Sequence, residues 1–188
     1  MNPFLQNNTP VADHRLLEIF NSDQVLYLNA FGKSELTLKI DNLQPQSSSL
    51  HFITKGYNLH DLFVEVIKRT GPVTVNIVSY SMTDFPMRII STFLEKKIIT
   101  DLRLVLDFTV KRTPALAQFV STFAVNLRYT DVHSKIIVIK NDRWDIVIIT
   151  SANFTRNNRF ENGVIFTGKQ FTDSYSTWFD TIYSDAKS

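Results

Sequence analysis

The chain has 188 residues, a formal net charge of +2 at neutral pH and no cysteine. That length fits one domain, or one domain with an appended segment, and it suffices to bury a substantial core. Hydrophobic residues make up 44% of the sequence, which excludes a disordered chain, and the lack of cysteine excludes disulfides, thiolate catalysis and cysteine-bound metal. Because the net charge is small, binding of a polyanion such as nucleic acid would depend on local clusters of basic residues.

The apolar stretches of the sequence are all short. The runs at residues 136–139 and 146–149 are among the longest, and neither approaches the ~20 residues that span a bilayer. Residues 1–8 have neither the basic start nor the apolar centre of a secretory signal. We therefore expect a cytoplasmic protein with no stable membrane association.

The first part of the chain, residues 1–49, is predicted to be an N-terminal segment. Its predicted elements are a helical turn at residues 16–20 and short strands at residues 25–28 and 36–40. Residues 42–49 contain Pro45 and three serines, a composition typical of a loop. We place a boundary at this loop and expect the strands of the segment to pack on a main domain, residues 50–188.

In the main domain, strand and helix patterns alternate and are then followed by consecutive strands. The predicted strands are residues 51–53, 73–78, 102–106, 125–129, 135–139, 145–149 and 163–166, and the predicted helices are residues 59–69, 83–97, 114–122 and 175–183. Asn58 is a candidate N-cap, Gly71-Pro72 a stop signal and Pro114 a helix start. This order of elements indicates an α/β sandwich with a mixed sheet.

Four polar residues with complementary chemistry lie in the last third of the chain. His133 and Lys135 are two apart on an extended stretch, so they point to the same side of it. Asn153 and Glu161 can fold back beside them if the intervening residues form a hairpin, and the polar residues 140–143 between two apolar runs predict its turn. An imidazole, a fixed cation, an amide and a carboxylate together suit chemistry on a phosphodiester.

This set resembles the signature of the phospholipase D-like superfamily, which reads His-x-Lys, an Asp, and then Gly-Ser-x-Asn. The matching residues are His133, Lys135, Ser151 and Asn153, and Glu161 stands where short bacterial nucleases of the family carry their acidic residue. Two positions depart from the signature, with Lys140 in place of the Asp and Thr150 in place of the Gly. The resemblance covers residues 50–183 and implies an αβα sandwich with a mixed β-sheet.

The resemblance also implies roles for these residues. In the family one histidine attacks phosphorus and forms a phosphohistidine, a second histidine protonates the leaving group, and no metal or other cofactor is required. Carried over to this chain, His133 is the nucleophile, Lys135 and Asn153 hold the phosphoryl oxygens, and Glu161 orients a site histidine. Ser151 either donates a hydrogen bond to a phosphate oxygen or holds the loop.

A mechanism with two histidines requires more than one copy of this motif. None of the other histidines, His14, His51 and His60, is followed two residues later by a lysine. We therefore expect a homodimer in which a twofold axis brings the two copies of His133 together at one composite site.

Three further residues are candidates for contact with substrate. Arg156 and Arg159 flank the Asn153 loop and could meet neighbouring phosphates, although such arginines are often only solvated loop charges. Tyr80 follows a predicted strand and is a candidate for stacking on a base or sugar, the alternative being a core aromatic. No motif in the sequence indicates recognition of particular bases, so sequence-specific binding of nucleic acid is not predicted.

The single motif and the short chain favour a nuclease or general phosphodiesterase. Phospholipases of the family usually carry two motifs on one long chain, and no amphipathic membrane-binding helix is evident here. Two alternatives stay open. One is a phospholipase, and the other is a catalytically silent module of the same fold that binds nucleic acid or serves in assembly.

Overall fold

The computed structural model describes residues 24–30, 33–55, 58–110, 114–123, 125–156 and 158–187. The predicted helical turn at residues 16–20 and the histidine at position 14 lie outside these ranges. The helices are α1 Lys33–Asp41, α2 Leu59–Thr70, α3 Asp84–Glu95, α4 Pro114–Phe123 and α5 Lys169–Asp185. The strands are β1 Gln24–Ala30, β2 Ser48–Lys55, β3 Val73–Ser79, β4 Ile99–Asp107, β5 Asn126–Thr130, β6 Ile136–Lys140, β7 Asp145–Thr150 and β8 Phe160–Thr167.

All eight strands form one mixed sheet in the order β1-β2-β8-β7-β6-β3-β4-β5. The pair β1 and β2 is parallel, as are β3, β4 and β5, and a helix connects each of these parallel neighbours. Between these two flanks the strands β6, β7 and β8 run antiparallel to their neighbours. Long crossovers thus build the flanks, and short connections build the centre.

Helices cover both faces of the sheet. The main core joins α1 to α4 with one face, and its largest fully buried side chains include Phe63, Phe154 and Trp144. On the opposite face Phe179 of α5 packs against Val78 and Val105. The predicted αβα sandwich with a mixed sheet is therefore confirmed.

Local signals in the sequence set the ends of α2. The backbone N–H of Asn58 donates to the carboxylate of Asp61 at 3.1 Å, so the start of the helix carries a capping box. Gly71 ends the helix with φ 77°, a left-handed conformation that favours glycine. Both predicted boundaries of this helix are confirmed.

The predicted strand at residues 36–40 is wrong, because these residues lie in α1. The alternation of Leu36, Leu38 and Ile40 is typical of a strand with one buried face. In the helix Ile40 packs into the core while Leu38 is exposed, so the alternation does not follow burial. The terminal helix α5 also begins six positions earlier than predicted, at Lys169.

The N-terminal elements continue the sheet of the main domain. β1 pairs with β2 along its whole length, from Gln24 to Ala30, and α1 connects the two strands. The proposed boundary after residue 49 falls within β2 and stays a prediction. In the described part of the chain no helix is both long enough and apolar enough to cross a membrane.

The turn between β6 and β7 is organised by Asn141. Its side-chain oxygen accepts hydrogen bonds from the backbone N–H groups of Arg143 and Trp144, at 2.9 and 2.7 Å. Its amide nitrogen donates to the carbonyls of Thr70 and Pro72, which fixes the turn to the end of α2. The hairpin predicted from the polar residues 140–143 is thus confirmed.

Candidate functional site

The antiparallel centre of the sheet brings the predicted site residues to one edge. Val78 at the end of β3 lies beside Ile136 at the start of β6, and Ile136 lies beside Ile149 near the end of β7. Thr150 then pairs with Gly163 of β8. We call this border the site edge; the residues on or just beyond it are Tyr80, Asp107, His133, Lys135, Ser151, Asn153 and Glu161.

His133 and Lys135 are in direct contact. The Lys135 Nζ lies 2.6 Å from the carbonyl oxygen of His133, 3.2 Å from its Nδ1 and 3.4 Å from its Nε2. An ammonium can only donate hydrogen bonds, and a neutral imidazole has one nitrogen that can accept. The ammonium is almost equidistant from the two ring nitrogens and lies against the imidazole, on the same side of the chain as the sequence predicts.

The Lys135 ammonium is buried without a paired carboxylate. The residue is 6% exposed, and within the described part of the chain it forms no ion pair. Burial lowers the pKa of Lys135, and the longer-range attraction of Glu161 offsets this only in part. A buried cation whose acceptors are neutral is held at a cost, so an anion beside it would be stabilised.

Tyr80 closes one side of this pair. Its ring centroid lies 4.9 Å from that of His133, with the planes tilted by 50°, and 5.4 Å from the Lys135 Nζ. Tyr80 directly follows β3, so the sheet positions it against the imidazole. The structure thus joins Tyr80 to the two motif residues, which is compatible with its predicted place beside substrate.

Ser151 and Glu161 are bonded to each other. The Ser151 hydroxyl donates to the Glu161 carboxylate, and the backbone N–H of Asn162 donates to the Ser151 Oγ at 3.0 Å. The Ser151 N–H in turn donates to the Asn162 carbonyl at 2.9 Å. These contacts fasten the end of β7 to the start of β8. They agree with the second of the two roles predicted for Ser151, that of holding the loop.

Thr150, which replaces the glycine of the family signature, braces the same corner. Its hydroxyl donates to the Asn162 carbonyl at 2.8 Å and accepts from the backbone N–H of Ala152 at 3.1 Å. Its own N–H donates to the Lys135 carbonyl at 3.1 Å. Thr150 therefore links the two halves of the motif, through its backbone N–H to Lys135 and through its buried side chain to the start of β8.

The loop that carries Asn153 is anchored on the connection between β3 and α3. Phe154 is fully buried, its N–H donates to the Ser81 carbonyl at 3.2 Å, and its carbonyl accepts from the Thr83 N–H at 2.9 Å. The Oδ1 of Asn153 is buried and accepts no hydrogen bond from any described residue. The amide therefore has hydrogen-bonding capacity that the described residues do not use.

The two arginines after Asn153 occupy exposed positions. The Arg156 guanidinium lies 3.8 Å from the ring centroid of Phe85, an exposed residue in the first turn of α3. This stacking orients the guanidinium, and no sequence pattern indicated it. Arg159 is also exposed, just before β8.

Lys140, which replaces the Asp of the family signature, lies at the opposite end of β6 from the site. Its Nζ is 3.8 Å from Asp145, its cross-strand neighbour, and 3.4 Å from Asp173 of α5. The substitution is thus accommodated by ion pairs at the other edge of the sheet.

Sequence reasoning missed one residue at the site edge, Asp107. It is the last residue of β4 and only 4% exposed, and its carboxylate accepts from the N–H groups of Thr109 and Val132, at 2.9 and 3.2 Å. Val132 directly precedes His133. The sequence feature that could have identified Asp107 is an acidic residue at the end of an apolar strand, in the run Leu-Val-Leu-Asp.

The fold and the His-x-Lys and Ser-x-Asn pair define a phospholipase D-like protein. Residues 63–183 match the family described as cardiolipin synthase, PLD-like domain. The chain therefore belongs to the phospholipase D-like family, and the resemblance seen in the sequence is confirmed. A comparison with curated protein sequences gave no match.

Solved structures of similar fold include two proteins that this chain covers almost completely. Nuc from Salmonella typhimurium, a phospholipase D family member, is 19% identical, with a TM-score of 0.56 over 73% of this chain and 97% of Nuc. NucT from Helicobacter pylori is 12% identical, with a TM-score of 0.58 over 74% of this chain and 98% of NucT. TrmBL2, an archaeal chromatin protein described with a novel mode of DNA binding, is 9% identical, with a TM-score of 0.52 over 73% of this chain and 53% of TrmBL2. At these identities the likeness establishes the fold.

Lys135→Met replaces the buried ammonium with an apolar side chain. We expect the free energy of unfolding to rise by about 1 kcal/mol, because the variant no longer buries a charge without a paired counter-ion. Inorganic phosphate should raise the melting temperature of the wild-type protein and leave that of the variant unchanged. Denaturant unfolding and thermal melts with and without phosphate measure both effects.

Lys140→Met is the matched control, because it makes the same change at the far end of β6, the strand that Lys135 directly precedes. It should lose about 0.5 kcal/mol of stability with its partly exposed ion pairs and keep the full response to phosphate. A Lys135→Met protein that still responds to phosphate would contradict the expectation that the Lys135 ammonium binds the anion.

Proposed function

We propose that this chain is a metal-independent phosphodiesterase, specifically a nuclease, which acts through a phosphohistidine at a composite site of a homodimer. The observation that carries the proposal is the buried Lys135 ammonium held against the imidazole of His133. A phosphodiester would supply the missing counter-charge to the ammonium and meet a nucleophile at the same position.

The reaction proceeds in two displacements. An unprotonated ring nitrogen of His133 attacks phosphorus while the bond from phosphorus to the leaving oxygen breaks, and His133 of the partner subunit gives that oxygen a proton. The partner subunit's His133 then takes a proton from water, which attacks phosphorus and breaks the P–N bond. Lys135 and Asn153 hold the nonbridging oxygens throughout, where negative charge is concentrated.

Ser151 and Glu161 support this arrangement. Glu161 attracts the Lys135 ammonium electrostatically and is itself held by the Ser151 hydroxyl. In the proposed dimer the Glu161 carboxylate orients a site imidazole, as carboxylates do in other histidine-based sites. Ser151 fixes the carboxylate, and its predicted role as a direct phosphate donor stays secondary.

The dimer is supported by the count of motifs and by the surface beside the site edge. Only one His-x-Lys with a following Ser-x-Asn is present in the sequence, whereas the mechanism uses two histidines. Ile53 on β2 and Phe160 on β8 are 59% and 68% exposed, and both lie toward the site edge. A second copy seated there would cover apolar surface and complete the site.

A nucleic-acid substrate is favoured over a lipid. The stacked Arg156 beside the Asn153 loop offers a pre-oriented cation to a phosphate next to the scissile one. Tyr80 offers an aromatic ring beside His133 for a base or sugar. A phosphodiester chain with repeated phosphates and rings would use both groups.

A second candidate is a catalytically silent module that binds DNA. It is favoured by the Lys140 substitution in the family signature and by the likeness in fold to TrmBL2, a chromatin protein. The contact between His133 and Lys135, together with Asn153, argues against it, because a site without a reaction has no need to bury an unpaired cation against an imidazole.

The primary test is cleavage in the presence of EDTA. We expect the wild-type protein to hydrolyse bis-p-nitrophenyl phosphate and to nick plasmid DNA, and we expect His133→Ala to lose at least ~100-fold in rate, because the nucleophile is gone. His51→Ala is the matched control, since His51 lies on β2 against Phe166, and it should keep full activity. Acid-labile, base-stable phosphate on the trapped protein identifies the phosphohistidine.

Other outcomes of the same assay separate the alternatives. Equal weak turnover by the wild type and His133→Ala, with DNA binding that weakens steeply as salt rises, would favour the silent module. Release of choline from phosphatidylcholine without nicking of DNA would indicate a phospholipase.

The composite site predicts a specific dependence on mixing. Wild-type and His133→Ala chains refolded together in equal amounts give about a quarter wild-type dimers and about half mixed dimers. If each site needs both copies of His133, activity per chain falls to about a quarter of the wild-type value. Independent sites would give about half, and a monomer in light scattering at micromolar concentration would rule out the dimer.

Arg156→Ala tests the nucleic-acid substrate. The KM for DNA should rise about 5-fold through loss of one phosphate contact, while hydrolysis of bis-p-nitrophenyl phosphate, which has no neighbouring phosphate, should not change. Arg143→Ala in the turn at the opposite edge is the matched control and should affect neither substrate. An equal loss on both substrates would show that Arg156 acts on the fold of the site.

A further inference from the structure

Asp107 is a buried carboxylate that the proposed mechanism does not use. It ends β4 at the site edge, beside the residues that lead into His133. Removing a carboxylate from water is costly unless hydrogen bonds or opposite charge compensate. Because Asp107 is only 4% exposed, hydrogen bonds or an opposite charge must compensate for the loss of water around its carboxylate.

The compensation comes from backbone donors and a nearby histidine. The carboxylate accepts from the N–H of Thr109 at 2.9 Å and from the N–H of Val132 at 3.2 Å. Burial raises the pKa of Asp107, but the hydrogen bonds from Thr109 and Val132 and the charge of His133 outweigh it, so the pKa lies below its usual range. The group is therefore an anion at neutral pH.

These contacts fix the backbone immediately before the nucleophile. The side chain of Val132 packs on the apolar cluster of Val78, Val105 and Phe179, while its N–H is held by Asp107. His133 is exposed, and among the described residues its ring contacts Tyr80 and Lys135. The position of the ring thus depends strongly on the backbone that Asp107 anchors.

The negative charge of Asp107 also has an electrostatic effect on the imidazole of His133. When a ring nitrogen of His133 bonds to phosphorus, the ring gains positive charge. Lys135 opposes that charge, whereas an anion that is already fixed near the ring favours it without reorganisation. Tyr80, which follows β3, and Lys135 contact the ring. Glu161 acts electrostatically on Lys135, and Asp107 at the end of β4 acts electrostatically on His133.

We propose that Asp107 is a positioning residue for His133, which fixes the backbone at Val132 and places a negative charge near the imidazole that becomes cationic on attack. The proposal rests on the proposed function for its kinetic consequence. Its structural part, control of the His133 ring by Asp107, stands independently of whether the chain cleaves phosphodiesters.

The test is Asp107→Asn, which keeps the size of the side chain and removes its charge. One of the two backbone N–H groups then faces an amide NH₂ and loses its acceptor. We expect kcat on bis-p-nitrophenyl phosphate to fall about 10-fold with little change in KM, because substrate is still held by Lys135 and Asn153. The ¹H–¹³C resonance of the His133 ring should shift in the variant.

Asp145→Asn is the matched control for loss of a partly buried carboxylate. Asp145 begins β7 at the other edge of the sheet and accepts from the Thr172 hydroxyl at 2.7 Å. This variant should lose stability without a change in kcat or in the His133 resonance. If both variants lower kcat in proportion to their loss of stability, Asp107 has only a structural role and the proposal is overturned.

The two proposals fail in different ways. An inactive wild-type protein would overturn the proposed function, and the His133 resonance would still decide the role of Asp107. An active wild type in which Asp107→Asn leaves both kcat and the resonance unchanged would overturn the positioning role alone.

Discussion

The organisation of the site follows from the placement of one ammonium group. Lys135 is withdrawn from water and meets an imidazole and a carbonyl oxygen, neither of which supplies a full counter-charge. A fold tolerates such a group only if the rest of the structure holds it there, because exposure to water would be more favourable. Thr150 contributes to this restraint by donating its N–H to the Lys135 carbonyl.

The residues at the site edge fall into two groups, according to how fully their polar side-chain atoms are engaged with hydrogen-bond partners within the described chain. Ser151, Thr150 and Asp107 have their side-chain oxygens engaged with neighbouring chain segments. Lys135 and Asn153 instead keep donors or acceptors that the described chain does not fully use. Buried polar groups are normally satisfied, so the second group supports the proposal that a ligand binds there.

Much of the fold could be predicted from the sequence, because its central elements obey local rules. The alternation of apolar runs, the Asn58 cap and the Gly71 stop predicted the elements from β2 to β7, and the polar turn at Asn141 predicted the hairpin that joins the two halves of the motif. The helix α1 was predicted as a strand because Leu38 completes an apolar alternation in the sequence. In the structure Leu38 is exposed, so the alternation does not mark a buried face. Sequence periodicity reports which residues are apolar, and burial depends on the partners that the sheet supplies.

The site was predictable only where chemistry is carried by side chains at fixed spacing. Asp107 acts on residues far along the chain through their backbone N–H groups, which are the same for every residue type except proline and leave no pattern in the sequence. The stacking of Arg156 on Phe85 likewise depends on how the loop after Asn153 crosses the start of α3. Motif spacing therefore identifies the groups proposed to meet a ligand. The groups proposed to position them become visible only once distant strand ends are brought to one edge. A substitution such as Lys140 is tolerated for the same reason, since it lies at the edge where no motif residue is positioned.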